Sequence, residues 1–198
     1  MENTSDGMNT DQEITEIQDL IEFVVRSHSG QTRKSSDCPY VVHPIDVFSQ
    51  VASWGITNVV MWKSSLCHDV REDCGITHEE LVREIGQEAA DIVEELSFFP
   101  KPDQPAPAQK ALYINSFQSK SVDALVIKMA DRICNTRDWV DGNNDYAEKY
   151  WLKATNLLQI MMDREEEIVD KLGVKVFSNM KHSTRMAHRL LEAFSKSN

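Results

Sequence analysis

Apolar residues recur at three- and four-residue steps along almost the whole of this chain, and no stretch alternates apolar with polar over a strand's length. That periodicity restricts the chain to an all-α fold. Ile14, Ile17, Leu20, Ile21 and Val24 make one apolar stripe, which predicts a first helix over 11–27. Pro44 suits the first turn of a second helix reaching 54, because its missing N–H is not needed there. Gly55 stops that helix, and Thr57 is the expected cap of a third, which carries Val60, Met61 and Leu66 into His68-Asp69. Thr77 and Glu80 have capping-box spacing ahead of a short helix that ends near Gly86, and another runs over 87–96. The proline-rich stretch 100–107 is the one clear break and reads as a loop beside a site. Helices are expected again over 108–119, 122–139, 145–172 and 178–194, about eight to ten in all.

The 198 residues suffice for a single core. Residues 1–10 are polar and expected to be flexible, leaving one domain over 11–198 with its motifs inside about 23–140 and its C-terminal helices over 145–198. A net charge of −11, from 21 basic and 32 acidic residues, argues against a nucleic-acid or anionic-membrane partner. A small anionic substrate is compatible with it, since a metal ion and a few local cations can dominate a pocket's field. Four cysteines without CxxC spacing, no secretory signal and no apolar run of membrane-spanning length point to a cytoplasmic chain with reduced thiols. Lys181, His182, Arg185, His188 and Arg189 form a basic stripe near the C-terminus, read either as a partner surface or as a solvated face meeting the chain's own acids. Homo-oligomerisation is left open.

The chemistry centres on His68-Asp-Val-Arg-Glu-Asp73. On a helix, Asp69, Glu72 and Asp73 share one face with His68 beside them, and three such carboxylates repel unless a cation or protons intervene. His43, just before Pro44, and Asp131, in an otherwise apolar and basic helix, can complete a mononuclear site with His68 and Asp69. Taken singly, His43 reads as an ordinary helix-start residue and Asp131 as an ion-pair partner of Lys128 or Arg132. Two imidazoles and two carboxylates without a thiolate suit Mn²⁺ ahead of Fe²⁺, Co²⁺ or Mg²⁺, and all of these over structural Zn²⁺.

Four motifs then occur in order: His28-Ser-Gly-Gln-Thr-Arg-Lys34, Pro39-Tyr-Val-Val-His-Pro44, the His68–Asp73 hexapeptide, and Lys128-Met-Ala-Asp-Arg-Ile-Cys-Asn135. Together they resemble the HD-domain metal-dependent phosphohydrolases, and within them the hydrolase domain of RelA/SpoT proteins and the stand-alone small alarmone hydrolases. The resemblance implies a helical HD-domain bundle in which His43, His68, Asp69 and Asp131 hold Mn²⁺. It also implies that Glu72 and Asp73 orient and deprotonate the attacking water, that Arg33 and Lys34 meet the nucleotide, that Asn135 bonds its sugar or base, and that Lys128 and Arg132 add positive potential behind Asp131. The implied reaction is removal of the 3′-pyrophosphate of ppGpp or pppGpp, giving GDP or GTP and pyrophosphate. Alternatives are an HD-domain phosphatase for NADPH 2′-phosphate or a nucleoside phosphate, and a nucleotide-binding protein without turnover. The chain departs from the family pattern at Arg71, Cys74, the loop 35–38 and Phe98-Phe99-Pro100, so the 98–107 segment is expected to line the pocket and to bear on substrate choice.

Overall fold

The computed structural model describes residues 10–34, 36–140 and 144–195; residues 1–9 of the N-terminal tail, expected to be flexible, lie outside them. Among the described residues the protein is all-α, with eleven helices, one 3-10 turn and no strand. The first helices are α1 (Thr10–Ser27), α2 (Val42–Ser53), α3 (Val59–Leu66) and the single turn α4 (Val70–Cys74). Next come α5 (His78–Ile85), α6 (Gln87–Leu96) and α7 (Ala106–Asn115), followed by the 3-10 turn Ser116–Gln118. The chain finishes with α8 (Val122–Val140), α9 (Asn144–Asp163), α10 (Glu165–Leu172) and α11 (Val174–Ser195).

Local signals account for most boundaries. Thr77 Oγ1 accepts the Glu80 N–H while the Glu80 side chain accepts the Thr77 N–H, completing the expected capping box of α5. At α3 the cap is Asn58 rather than Thr57: its backbone is extended (ψ 117°) and its side chain accepts the Met61 N–H. The helix predicted over 145–172 is two helices, α9 and α10. Between them Arg164 (φ −107°, ψ 23°) leaves the helical conformation. Its guanidinium donates to the carbonyls of Phe117 (2.9 Å) and Lys120 (2.7 Å), a tertiary anchor that no turn residue announces. The last helix starts at Val174 rather than 178, directly after Gly173, whose φ of +91° is the turn a glycine permits.

Helix α8 is the centre of the molecule. All its residues from 122 to 136 are buried, as expected of a helix enclosed on every side. It packs along α9 and also against α2, α6 and α11. One apolar core, with Trp54, Phe117, Leu125, Met129 and Phe177 among its largest members, surrounds it. A second, built on Leu20, Val24, Leu66, Val70 and Leu81, joins α1 to the α3–α6 region. Within this apolar helix Lys128, Asp131, Arg132 and Asn135 fall at steps of three and four, so they form one polar stripe. The two cores hold that stripe opposite the α3–α4 connection. No described helix is long and apolar enough to cross a membrane, and all four cysteines are unpaired.

Candidate metal centre

The hexapeptide is not one continuous helix. α3 ends at Leu66, Cys67 and Asp69 take non-ideal turn conformations, and α4 restarts at Val70. At the start of α2, the Tyr40 carbonyl accepts the His43 N–H at 2.9 Å, and the imidazole of His43 is buried. These segments and the α8 stripe bring the predicted ligands together. His68 Nε2 lies 3.3 Å from His43 Nε2 and 3.1 Å from Asp69 Oδ2. His43 Nε2 lies 3.3 Å from Asp131 Oδ1 and 3.6 Å from Asp69 Oδ2. Ligand atoms of His43, His68 and Asp131 all fall within 4.8 Å of one another.

This donor set fits a divalent cation. His68 donates its Nδ1–H to the Ser65 carbonyl at 2.8 Å, so whenever the ring is neutral its lone pair lies on Nε2 and faces the cluster. Two ring nitrogens and the Asp131 carboxylate then face one point, with the Asp69 carboxylate beside both histidines, and only a cation or extra protons can reconcile these groups. The local electrostatics agree. Burial opposes a charged His68, but the adjacent Asp69 carboxylate outweighs it and raises its pKa. Burial would also raise Asp69 and Asp131. Instead His68 and His43 hold Asp69 well below the usual carboxylate range, and Lys128, Arg132 and His43 do the same for Asp131.

The cluster opens onto a cavity of about 480 Å³, and Arg33, Lys34, Glu72, Asp73, Lys128 and Asn135 all line it. Glu72 accepts the Phe98 N–H at 2.8 Å. Burial and the nearby Asp69 raise its pKa, against the opposing pull of Lys128. Lys128 sits 3.1 Å from Asp131 Oδ2, so the ion pair considered as an alternative role for Asp131 exists alongside the ligand cluster. The loop bearing Arg33 is closed by an isolated bridge between Thr32 and Pro39. Arg33 is tied across it to α8, donating to Asn135 Oδ1 at 2.9 Å and pairing with Asp138.

Several contributors were not expected. The Tyr40 hydroxyl donates to Asp69 Oδ2 at 2.7 Å, and its ring stacks on His28 (4.7 Å) and meets His43 edge-on. Asp138 lies three residues beyond Asn135 on the same helix face, the one sequence signal that could have singled it out. Among the described residues of the segment 98–107, Phe98 alone lines the cavity, which corrects the wider expectation. Gln109 folds the rest back on itself, accepting the Lys101 N–H and donating to the carbonyls of Lys101 and Gln104. Arg71 turns to Glu94 and lies 5.3 Å from the Phe99 ring centre, outside this cavity. Cys74 Sγ lies 3.3 Å from His28 Nδ1. On α11, Lys181 approaches Glu165 at 3.8 Å and His188 stacks on Trp151 at 4.7 Å, so part of the basic stripe is engaged within the chain.

Comparison with known proteins agrees with this geometry. A family model described as HD domain matches residues 21–160. The guanosine-3′,5′-bis(diphosphate) 3′-pyrophosphohydrolase MESH1 of Homo sapiens is 31% identical over 130 residues, covering 64% of this chain and 70% of the relative. MESH1 of Xenopus tropicalis is 32% identical over 124 residues, 62% of this chain and 68% of the relative. A Spiroplasma citri guanosine-3′,5′-bis(diphosphate) 3′-pyrophosphohydrolase is 32% identical over 63% of this chain, which spans only 17% of that longer protein. In fold, the chain is similar to a solved metazoan ortholog of SpoT, with a TM-score of 0.69 at 21% identity, covering 86% of this chain and 94% of the other. The chain belongs to the HD-domain family, on the branch that holds the MESH1-type hydrolases.

Proposed function

We propose that the protein hydrolyses the 3′-pyrophosphate of ppGpp or pppGpp, with Mn²⁺ held by His43, His68, Asp69 and Asp131, to give pyrophosphate and GDP or GTP. The observation that supports this reading is the gathering of His43, His68 and Asp131, with Asp69 3.1–3.6 Å from the two histidines, at a cavity that His43, Asp69, Asp131, Glu72 and Asp73 line. The relatives named for this activity support the substrate. A divalent cation held there would polarise a phosphoryl oxygen and acidify water.

The chain's own groups do the rest. Glu72 has one carboxylate oxygen engaged by the Phe98 N–H, which fixes the side chain and leaves the other for a water. Its raised pKa brings it closer to the pH at which it works as a base. Glu72 or Asp73 takes the proton of the attacking water as the new O–P bond forms. The P–O3′ bond breaks, pyrophosphate departs, and the 3′-oxygen takes up a proton. Lys128, buried on the α8 stripe, stays cationic because Asp131 outweighs its burial, and so offsets charge on the transferred group. Arg33 and Lys34 supply the opposite wall, where a guanidinium can stack on a base.

The test is a panel of ppGpp, pppGpp, NADPH and simple nucleoside phosphates with Mn²⁺, following phosphate and pyrophosphate release. Pyrophosphate from the two guanosine substrates is expected. Glu72→Gln should retain Mn²⁺ by mass spectrometry and lose turnover, whereas Asp69→Ala should lose both. Nucleotide binding without any release, or phosphate from NADPH alone, would sink the proposal.

A further inference from the structure

A groove of about 430 Å³ runs along α11, bounded by α2 and α8. Its α8 members, Ile133 and Arg137, lie on the opposite side of that helix from the Lys128–Asn135 stripe, so the groove is separate from the metal centre. Its floor is apolar, built by Ile133 with Met186 and Leu190 of α11, and the last two are 48% and 37% exposed. The guanidiniums of Arg137 and Arg189 and the imidazole of His182 rim it. No acidic residue lines it, in a chain of net charge −11. Arg137 donates to the Cys134 sulfur at 3.1 Å, and neither arginine forms an ion pair among the described residues. An exposed apolar strip with such a rim is the surface of a contact site.

The same chain carries the complementary surface. Helix α1 has five acidic residues against one basic. Ile14 and Val25 stand out from it, 51% and 46% exposed, with Asp19 and Glu22 exposed beside them. Ile14, Gln18 and Val25, at steps of four and seven, share one helix face. The pair that Glu22 makes with Arg26 is 3.6 Å long and bathed in water, so it contributes little. The two surfaces also match in length. Ile14 to Val25 and His182 to Ala193 each span eleven helical steps, about 16 Å. Within one molecule they belong to different cores: Leu20 and Val24 fix α1 in one, and Phe177, Met180 and Ala187 fix α11 in the other. The α11 groove that α1 can enter is therefore that of a second molecule.

We propose that two copies of this chain associate reciprocally, the exposed face of α1 in each lying in the α11 groove of the other. Ile14 and Val25 then cover Met186 and Leu190, while Asp19 and Glu22 meet Arg137 and Arg189. Exchange in both directions closes the assembly on a two-fold axis. The inference is independent of the reaction proposed above.

Sedimentation velocity on the full chain over a concentration series, at low and at high salt, tests this. Wild type should form a dimer that dissociates on dilution, and more readily at high salt, which screens exposed charges. Val25→Arg sets a cation against the cationic rim, and Leu190→Glu sets a carboxylate against the acidic face of α1. Each should raise the dimer dissociation constant more than about tenfold, because like charges are brought together in a contact. Both positions are exposed, and thermal unfolding checks that the fold is kept; Arg189→Glu is a second groove variant that removes no floor residue. Mixing Val25→Arg with Leu190→Glu leaves one contact per pair unaltered and sets the two new charges, opposite in sign, against each other in the second. The mixture should therefore dimerise where neither variant does alone. A wild type that is monomeric at every concentration would overturn the proposal. So would association that either variant leaves unchanged, which means that like surfaces pair, and so would a failure to recover on mixing.

Discussion

Replacing Tyr40 by phenylalanine removes one hydroxyl and isolates its part in the metal centre. That hydroxyl donates to Asp69 Oδ2 at 2.7 Å, the same oxygen that lies 3.1 Å from His68 Nε2 and 3.6 Å from His43 Nε2. Burial and the Asp69 carboxylate both raise the Tyr40 pKa, so it remains a neutral donor throughout the working pH range. A phenylalanine ring can keep the stack on His28 at 4.7 Å and the edge contact with His43 at 5.9 Å, so the fold should survive. A hydrogen bond to a charged acceptor contributes about 1.5–3 kcal/mol. At about 1.4 kcal/mol per factor of ten, its loss should weaken Mn²⁺ binding roughly ten- to hundredfold, the range seen when a metal ligand loses its outer partner. Titrating Mn²⁺ into chelator-treated wild type and Tyr40→Phe, with free ion read by electron paramagnetic resonance, measures this directly. At saturating Mn²⁺ the variant's kcat should recover most of the way. Equal metal affinity in the two proteins would refute the assignment of Tyr40 to Asp69, and a lost kcat at equal affinity would place its action elsewhere.

Two further outcomes follow from the same geometry. Asp138→Asn removes the carboxylate that holds Arg33, leaving only the 2.9 Å bond to Asn135; KM for ppGpp should rise about tenfold with kcat changed far less, measured by initial rates. The base must be unprotonated, so kcat/KM should rise with pH through the raised pKa of Glu72; because Lys128 pulls that pKa down, Lys128→Met should move the acid limb to higher pH. Rate profiles at saturating Mn²⁺ check this, and a limb that stays put or moves down would remove Glu72 from the role of base.

What the sequence disclosed, and what it hid, divides along the range of the interactions. Thr77 and Glu80 announce α5 because both halves of the capping box lie within four residues. The proposed ligands His43, His68, Asp69 and Asp131 are legible because their chemistry is distinctive wherever they sit. Tyr40 and Asp138 are not, since their roles depend on the 28–40 loop closing against α4 and α8: Arg33 and Asp138 are 105 residues apart in the chain. The break at Arg164 is hidden for the same reason, because the acceptors that hold its guanidinium are carbonyls more than forty residues away.

The break inside the hexapeptide shows how local and distant demands are met by one residue. In an unbroken helix, His68 and Asp69 would point about 100° apart and could not address one ion. Cys67 (φ −99°, ψ 7°) and Asp69 (φ −106°, ψ −7°) leave the helix, and the two side chains meet at 3.1 Å. A helix that stops here strands its last carbonyls, and burial makes that costly. His68 answers that cost with the same ring proposed as a metal ligand: Nδ1–H donates to the Ser65 carbonyl in the last turn of α3, and Nε2 faces the cluster. The chain then resumes at once, with the Asp73 N–H bonded to the Asp69 carbonyl at 2.9 Å, which sets Glu72 and Asp73 one turn beyond the ligands. Ending α3, bringing the two proposed ligands together and spacing Glu72 and Asp73 from them are therefore a single structural event, and the identity of residue 68 as histidine is what lets it occur in a buried site.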